Sequence, residues 1–311
     1  MSASALGWFT AMWLTALGAV VGSFLNVVVY RLPQGESLVH PPSRCPKCGH
    51  PIRWYDNVPI VGWLILRGRC RDCRAAISAR YPIVEAITAL MFLVPAVLEC
   101  ALRGANLPQR AVEVGAGIML SGRSGQMLYG VFLYHELLLC TLLAAALIQW
   151  DGHRVPLRLF WPVSAFGAAL PVIWPQLHPV AATPITQGPV AGLADAAAGL
   201  AGGWLIGWLA ARLEHPGRRH GLTWALAAVG LILGWQAVVV VGSLTALWTA
   251  GRRLAERRRP QKRQRQPHAR VVVVLQRQVA AVAQAECQHD RLVPLSQLFE
   301  GHVAADADAR A

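Results

Sequence analysis

Leu6-Gly-Trp-Phe-Thr-Ala-Met-Trp-Leu-Thr-Ala-Leu-Gly-Ala-Val-Val-Gly-Ser-Phe-Leu-Asn-Val-Val-Val-Tyr30 contains no charged side chain, and Arg31 follows it at once. About 20 mostly apolar residues are enough to cross the hydrocarbon core of a bilayer as a helix, so this stretch can span. No basic residue precedes it, and the run outlasts the apolar segment of a signal peptide. It therefore reads as an uncleaved first span. Gly18, Gly22 and Ser23 keep part of its surface small, which lets a second helix approach closely in lipid.

The same pattern recurs downstream. Residues 159–194, 196–211 and 220–251 also lack Asp, Glu, Lys and Arg. Over all 311 residues, 55% are hydrophobic and 14% charged, with a mean hydropathy of +0.40. A soluble domain carries about 25% charged residues. The chain reads as an all-α polytopic membrane protein with about six or seven transmembrane segments and one small extramembrane module. After the first span, helices are expected from Pro82 to Leu102, over 128–150, over 159–175 and from Gly192 to Ala211. An external loop (103–127) and a proline-rich loop (175–189) connect some of them. As one helix, 222–250 would run to about 43 Å. Two segments bent near Gly230 or Gly234 fit a membrane better.

The net charge is +13. Nine Arg/Lys stand against three acids in 31–80, and nine against one in 252–270. Basic residues beside spans mark cytosolic loops, so the module at 34–80 is placed in the cytosol. Topology and anionic lipid account for the charge. No nucleic-acid partner is expected, since no basic groove interleaved with aromatics appears. Residues 252–270 read as a solvated arm, 271–299 as a short strand and helix, and the Ala/Asp-rich end as a tail. Three parts result: 1–80, first span plus module; 81–251, the helical bundle; 252–311, basic arm and tail.

Within the module, Cys45-Pro-Lys-Cys48 and Cys70-Arg-Asp-Cys73 form two CxxC pairs with 21 residues between them. Each CxxC turn presents two thiolates, and two facing turns close a tetrahedral zinc site. Gly49 and Gly68 suit the tight turns such knuckles need. Four thiolates leave no open position, so Cys45, Cys48, Cys70 and Cys73 are assigned as ligands of a structural zinc. Cys100 and Cys140 lie within spans and read as small hydrophobes.

Gly22-Ser-Phe-Leu-Asn-Val-Val-Val-Tyr-Arg-Leu-Pro33 resembles the first-helix signature of the type IV prepilin leader peptidases. Trp54-Tyr-Asp-Asn-Val-Pro-Ile-Val-Gly-Trp63 and Arg80-Tyr-Pro-Ile-Val-Glu85 resemble further motifs of that family. The resemblance implies a bacterial inner-membrane aspartic endopeptidase that removes leaders from prepilins of type IV pili or type II secretion. In many members it also implies N-methylation with S-adenosylmethionine, although no GxGxxG pattern occurs in this chain.

Beyond residue 90 the likeness continues at Ala144–Pro156, where the family carries its first catalytic Asp seven residues before a proline. Counting back from Pro156 places Gln149 there, and Asp151 matches an accessory Asp. Asp195, Gly199 and Gly203 resemble the helix before the family's GxGD motif, and Leu226–Trp235 resembles the helix after it. The second catalytic position then falls on Leu222. An aspartic peptidase needs two carboxylates sharing one proton, and neither Gln nor Leu can serve. No catalytic residue is assigned.

Other acids stay under consideration: an Asp151/Asp195 pair, and Glu136, for which neighbouring His135 is a candidate partner. His153 and His220 flank the same region. The leading expectation is a pseudoenzyme that binds pilin-like leader segments. The alternatives are an active leader peptidase/N-methyltransferase and a zinc-stabilised membrane scaffold of a secretion system.

Overall fold

A computed structural model describes residues 3–102, 123–174, 177, 189–212 and 219–258. The elements are helical: α1 Ala3–Arg31, α2 Val61–Ile65, α3 Arg80–Pro95 continued by a π-helical turn Ala96–Ala101, α4 Arg123–Trp150, α5 Trp161–Ile173, α6 Pro189–Ala211, α7 Arg219–Leu233 and α8 Trp235–Arg258. Among the described residues no strand forms. The β pairing among those residues is two isolated bridges, Arg44 with Pro51 and Arg69 with Ala76.

Four of these helices are long and apolar enough to cross a membrane: Gly7–Gln34, Arg80–Glu99, Tyr129–Trp150 and Val190–Ala211. Leu157–Ile173 and His220–Leu233 are shorter apolar helices. The protein is thus an integral membrane protein. Among the described residues, four helices of spanning length and two shorter apolar ones stand against the six or seven segments expected. Gly234 divides 222–250 into two helices, as expected, and α5 is preceded by a 3₁₀ turn at Leu157–Phe160.

The chain divides into two units, 1–251 and 252–311. In the first, α1 and α3 pack antiparallel through small residues. A Cβ at Gly18 would strike Phe92, and one at Gly22 would strike Glu85 and Thr88, so only hydrogen fits. Asn26 donates its amide to the Tyr81 carbonyl at 3.3 Å on the same seam. The core centres on α4, where Phe132, Tyr134, Leu138 and Ile148 are buried. The Tyr134 hydroxyl donates to the Gly167 carbonyl of α5 at 3.1 Å, which removes the cost of a polar atom inside the bundle.

Helices α6 and α7 are also antiparallel. Gly199 lies against Gly230, Gly203 against Leu226 and Ala227, and Gly207 against Thr223. The break expected near Gly230 or Gly234 falls at Gly234, whose φ is +86°. That left-handed backbone ends α7, and α8 restarts at Trp235.

In the second unit, residues 252–258, within the stretch read as a solvated arm, are helical. The rest of the arm, the expected strand and helix at 271–299, the tail, Cys287 and the loop at 103–122 lie outside the described residues.

Candidate active site and metal centre

The knuckles form as two copies of one turn. The Gly49 N–H donates to the Cys45 carbonyl at 2.9 Å, and the Arg74 N–H donates to the Cys70 carbonyl at 3.1 Å. Cys45 and Cys70 donate in turn to the carbonyls of His50 and Ala75. Gly49 and Arg74, each following the second cysteine of its pair, take φ of +73° and +59°.

The ligand atoms of Cys45, Cys48, Cys70 and Cys73 all lie within 4.8 Å of one another, and the Sγ atoms of Cys45 and Cys73 are 3.8 Å apart. That is far from a disulfide at about 2.0 Å. It equals the edge, about 3.8 Å, of a tetrahedron with metal–sulfur bonds of about 2.3 Å. The donor set could hold a metal ion. Backbone N–H groups of Cys48 and then Lys47 draw the Cys45 thiol down to about 6.

Three contacts fasten the module. The Arg71 guanidinium forks onto Asp56, with Nε to Oδ2 at 2.8 Å, and holds that carboxyl below its ordinary range. The Trp63 indole donates to the Ile77 carbonyl at 3.1 Å. The Ile60 N–H donates to a Glu85 carboxylate oxygen at 2.6 Å, tying the start of α2 to helix α3.

At the Arg31 end of the bundle, the last turn of α4 meets the first turn of α7. A Cβ on Gly221 would fall on the Gln149 amide nitrogen and against Val155. Gln149 therefore sits directly beside Gly221, the neighbour of Leu222, and both Gln149 and Leu222 are half-buried. Asp151 takes a bidentate hold from Arg80, at 2.6 and 2.8 Å. His153 and His220 are exposed.

Asp195 is nowhere near this end. It is buried one turn before Gly199, and Gly199 faces Gly230. Gly234 lies about 18 Å along α7 from Leu222 at 1.5 Å per residue, and Asp195 belongs at that level. An Asp151/Asp195 pair is therefore not assembled.

Glu136 and His135 do not pair either, because adjacent helical residues point about 100° apart. His135 instead meets Glu99 at 2.7 Å between Nδ1 and Oε1. His135 and Glu136 lie about 20 Å up α4 from Gln149. The Arg80–Asp151 and Glu99–His135 partnerships left no trace in local spacing, since 71 and 36 residues separate their members.

Residues 16–98 match the model of the Bacterial Peptidase A24 N-terminal domain. A prepilin leader peptidase/N-methyltransferase of Myxococcus xanthus is 56% identical over 82 residues, which cover 26% of this chain and 24% of that protein. Proteins of the same name from Aeromonas salmonicida (32% over 270 residues; 77% of this chain, 78% of the relative) and Dickeya chrysanthemi (31% over 269 residues; 77% and 82%) align far more widely. No solved structure matches. With the seam motifs of α1 and α3, the cysteine quartet and similarity over most of the chain's length all agreeing, the protein belongs to the type IV prepilin leader peptidase family.

Proposed function

We propose that this protein is a bacterial inner-membrane member of the family that binds pilin-like leader segments at the cytosolic face without cutting them. The observation that carries the reading is the pairing of Gln149 with Gly221 beside Leu222. These are the places where the family resemblance expects the two acids, and they meet at one end of the bundle. An amide and an isobutyl group there cannot share a proton or activate water. Asp151, the one acid nearby in sequence, is engaged by Arg80.

The cysteine quartet is read as a structural zinc site facing the cytosol. Zinc would supply a cross-link between the two knuckles and nothing chemical, since four thiolates complete its shell. The division at residues 80 and 251 belongs to the same reading. S-adenosylmethionine enters only through the relatives' name, and no step here is assigned to it.

The test uses the full chain in phospholipid vesicles with a prepilin and, separately, the same pilin without its leader. The expected result is retention of the prepilin with its leader intact and no retention of the leaderless form. Leader removal would overturn the reading and favour the active peptidase that the relatives' name describes. Equal retention of both forms would favour a scaffold.

A further inference from the structure

Helix α2 lies inside the module, yet it is built like a membrane-surface element. Gly62 and Trp63 face inward, with Gly62 buried and Trp63 bonded to Ile77. Val61, Leu64 and Ile65, at i, i+3 and i+4, share the opposite face and are 48%, 60% and 67% exposed. Residues at that spacing neighbour one another on a helix. Arg67 and Arg69 follow after Leu66, exposed and without an ion pair among the described residues. Three adjacent aliphatic side chains left open on so small a module call for a covering phase.

The depth of α2 says what covers it. Ile60, the residue before α2, is bonded to Glu85. Glu85 lies in the spanning helix Arg80–Glu99, five residues in, about 7 Å past its start. Its Cα packs on Gly22 of α1, nine residues short of Arg31. A helical side chain leans back toward its own N-terminus, which brings the carboxylate toward the level of Ile83, itself 54% exposed on the outer surface of α3. The start of α2 is thus held at the depth of the first turns of a transmembrane helix rather than above it.

We infer that α2 is an interfacial membrane anchor: Val61, Leu64 and Ile65 enter the headgroup–acyl boundary of the leaflet on the module's side, with Arg67 and Arg69 on anionic phosphates. An apolar face followed by arginines is the chemistry of a helix that lies in the interface, and Arg pairs with phosphate in a forked geometry. The anchor holds the metal module against the bilayer beside the α4–α7 end. It does not depend on whether the protein cuts or merely binds leaders.

The experiment places a diazirine amino acid at position 64 or 65 of the full chain, in vesicles of phosphatidylethanolamine and phosphatidylglycerol. Lipid adducts are counted by mass spectrometry, with position 83 as the lipid-facing reference and exposed Lys47 on the first knuckle as the comparison. Adduct yields at 64 and 65 should approach that at 83 and exceed that at 47 by about tenfold. Yields at 64 and 65 no greater than at 47, or adducts to protein in place of lipid, would overturn the inference. Phosphatidylglycerol should be over-represented among the adducts, and Arg67→Gln with Arg69→Gln should return it to its bulk proportion. Adducts that show no headgroup preference in the parent protein would remove the arginines from the anchor. Both labelled positions point out of the protein, and an unchanged thermal midpoint checks that each variant is folded.

Discussion

Glu136 carries two carboxyl oxygens that meet no hydrogen-bond donor among the described residues, on a side chain 2% exposed. A buried polar group without a partner costs about 1–3 kcal/mol. Glu136→Met keeps the length of the side chain while removing both oxygens. It should therefore raise stability by about that amount, seen as a higher unfolding midpoint in detergent. A lower midpoint would mean that the carboxyl has a partner worth more than its desolvation. Gly49 poses the opposite problem: its φ is +73° and a Cβ there would meet nothing within 4 Å. Gly49→Ala should then cost about 1 kcal/mol through backbone strain alone, while Gly49→Asn should cost less, because Asn tolerates the left-handed region. Equal losses for Ala and Asn, read in thermal unfolding of the full chain, would point to a cause other than the backbone. Arg74 adopts the same conformation in the second knuckle, so the turn is imposed by the ligand geometry and is not reserved for glycine.

Between elements, close backbone approach outweighs surface charge. A Cβ on Gly199 would fall on the Gly230 carbonyl oxygen, which is backbone and cannot rotate away. Gly199→Ala should force α6 and α7 apart and cost about 1–3 kcal/mol, read as a drop in the unfolding midpoint. An unchanged midpoint would mean that the two helices are not seated as described. The half-exposed Arg80–Asp151 pair joins α3 to the end of α4, but such pairs contribute about 0–1 kcal/mol. The same seam explains what could be read in advance. Gly230 and Gly234 were equal candidates for the break in 222–250, because glycine permits both a left-handed turn and a close helix contact. The contact with Gly199, some thirty residues earlier, does not separate them, since a Cβ there would fall on the Gly230 carbonyl oxygen and within 3.3 Å of the Gly234 Cα; the left-handed φ of +86° at Gly234 is what marks the break.

For the molecule as a whole, local composition was enough to find the spanning helices and the cysteine quartet, since charge-free runs and CxxC turns are properties of short stretches. The polar partnerships between helices were not legible. Glu99 could not be matched to His135, nor Asp151 to Arg80, because each contact exists only once the helices are packed. The meeting of Gln149 and Gly221 is of that kind too, and it makes the absence of acids testable by restoration. A water-activating dyad needs one carboxylate to accept a proton while its protonated neighbour polarises the scissile carbonyl. One acid alone can do half of this. Gln149→Asp and Leu222→Asp should therefore each leave a prepilin uncut, while the double variant gains leader removal. The gain should fall away as pH rises and the second carboxyl loses its proton. Cleavage by the unaltered protein at the rate of the double variant would show that another pair of groups performs the chemistry. The same silence from all four proteins, with prepilin still retained, would mean that the α4 and α7 ends do not bring these two positions to a shared scissile bond.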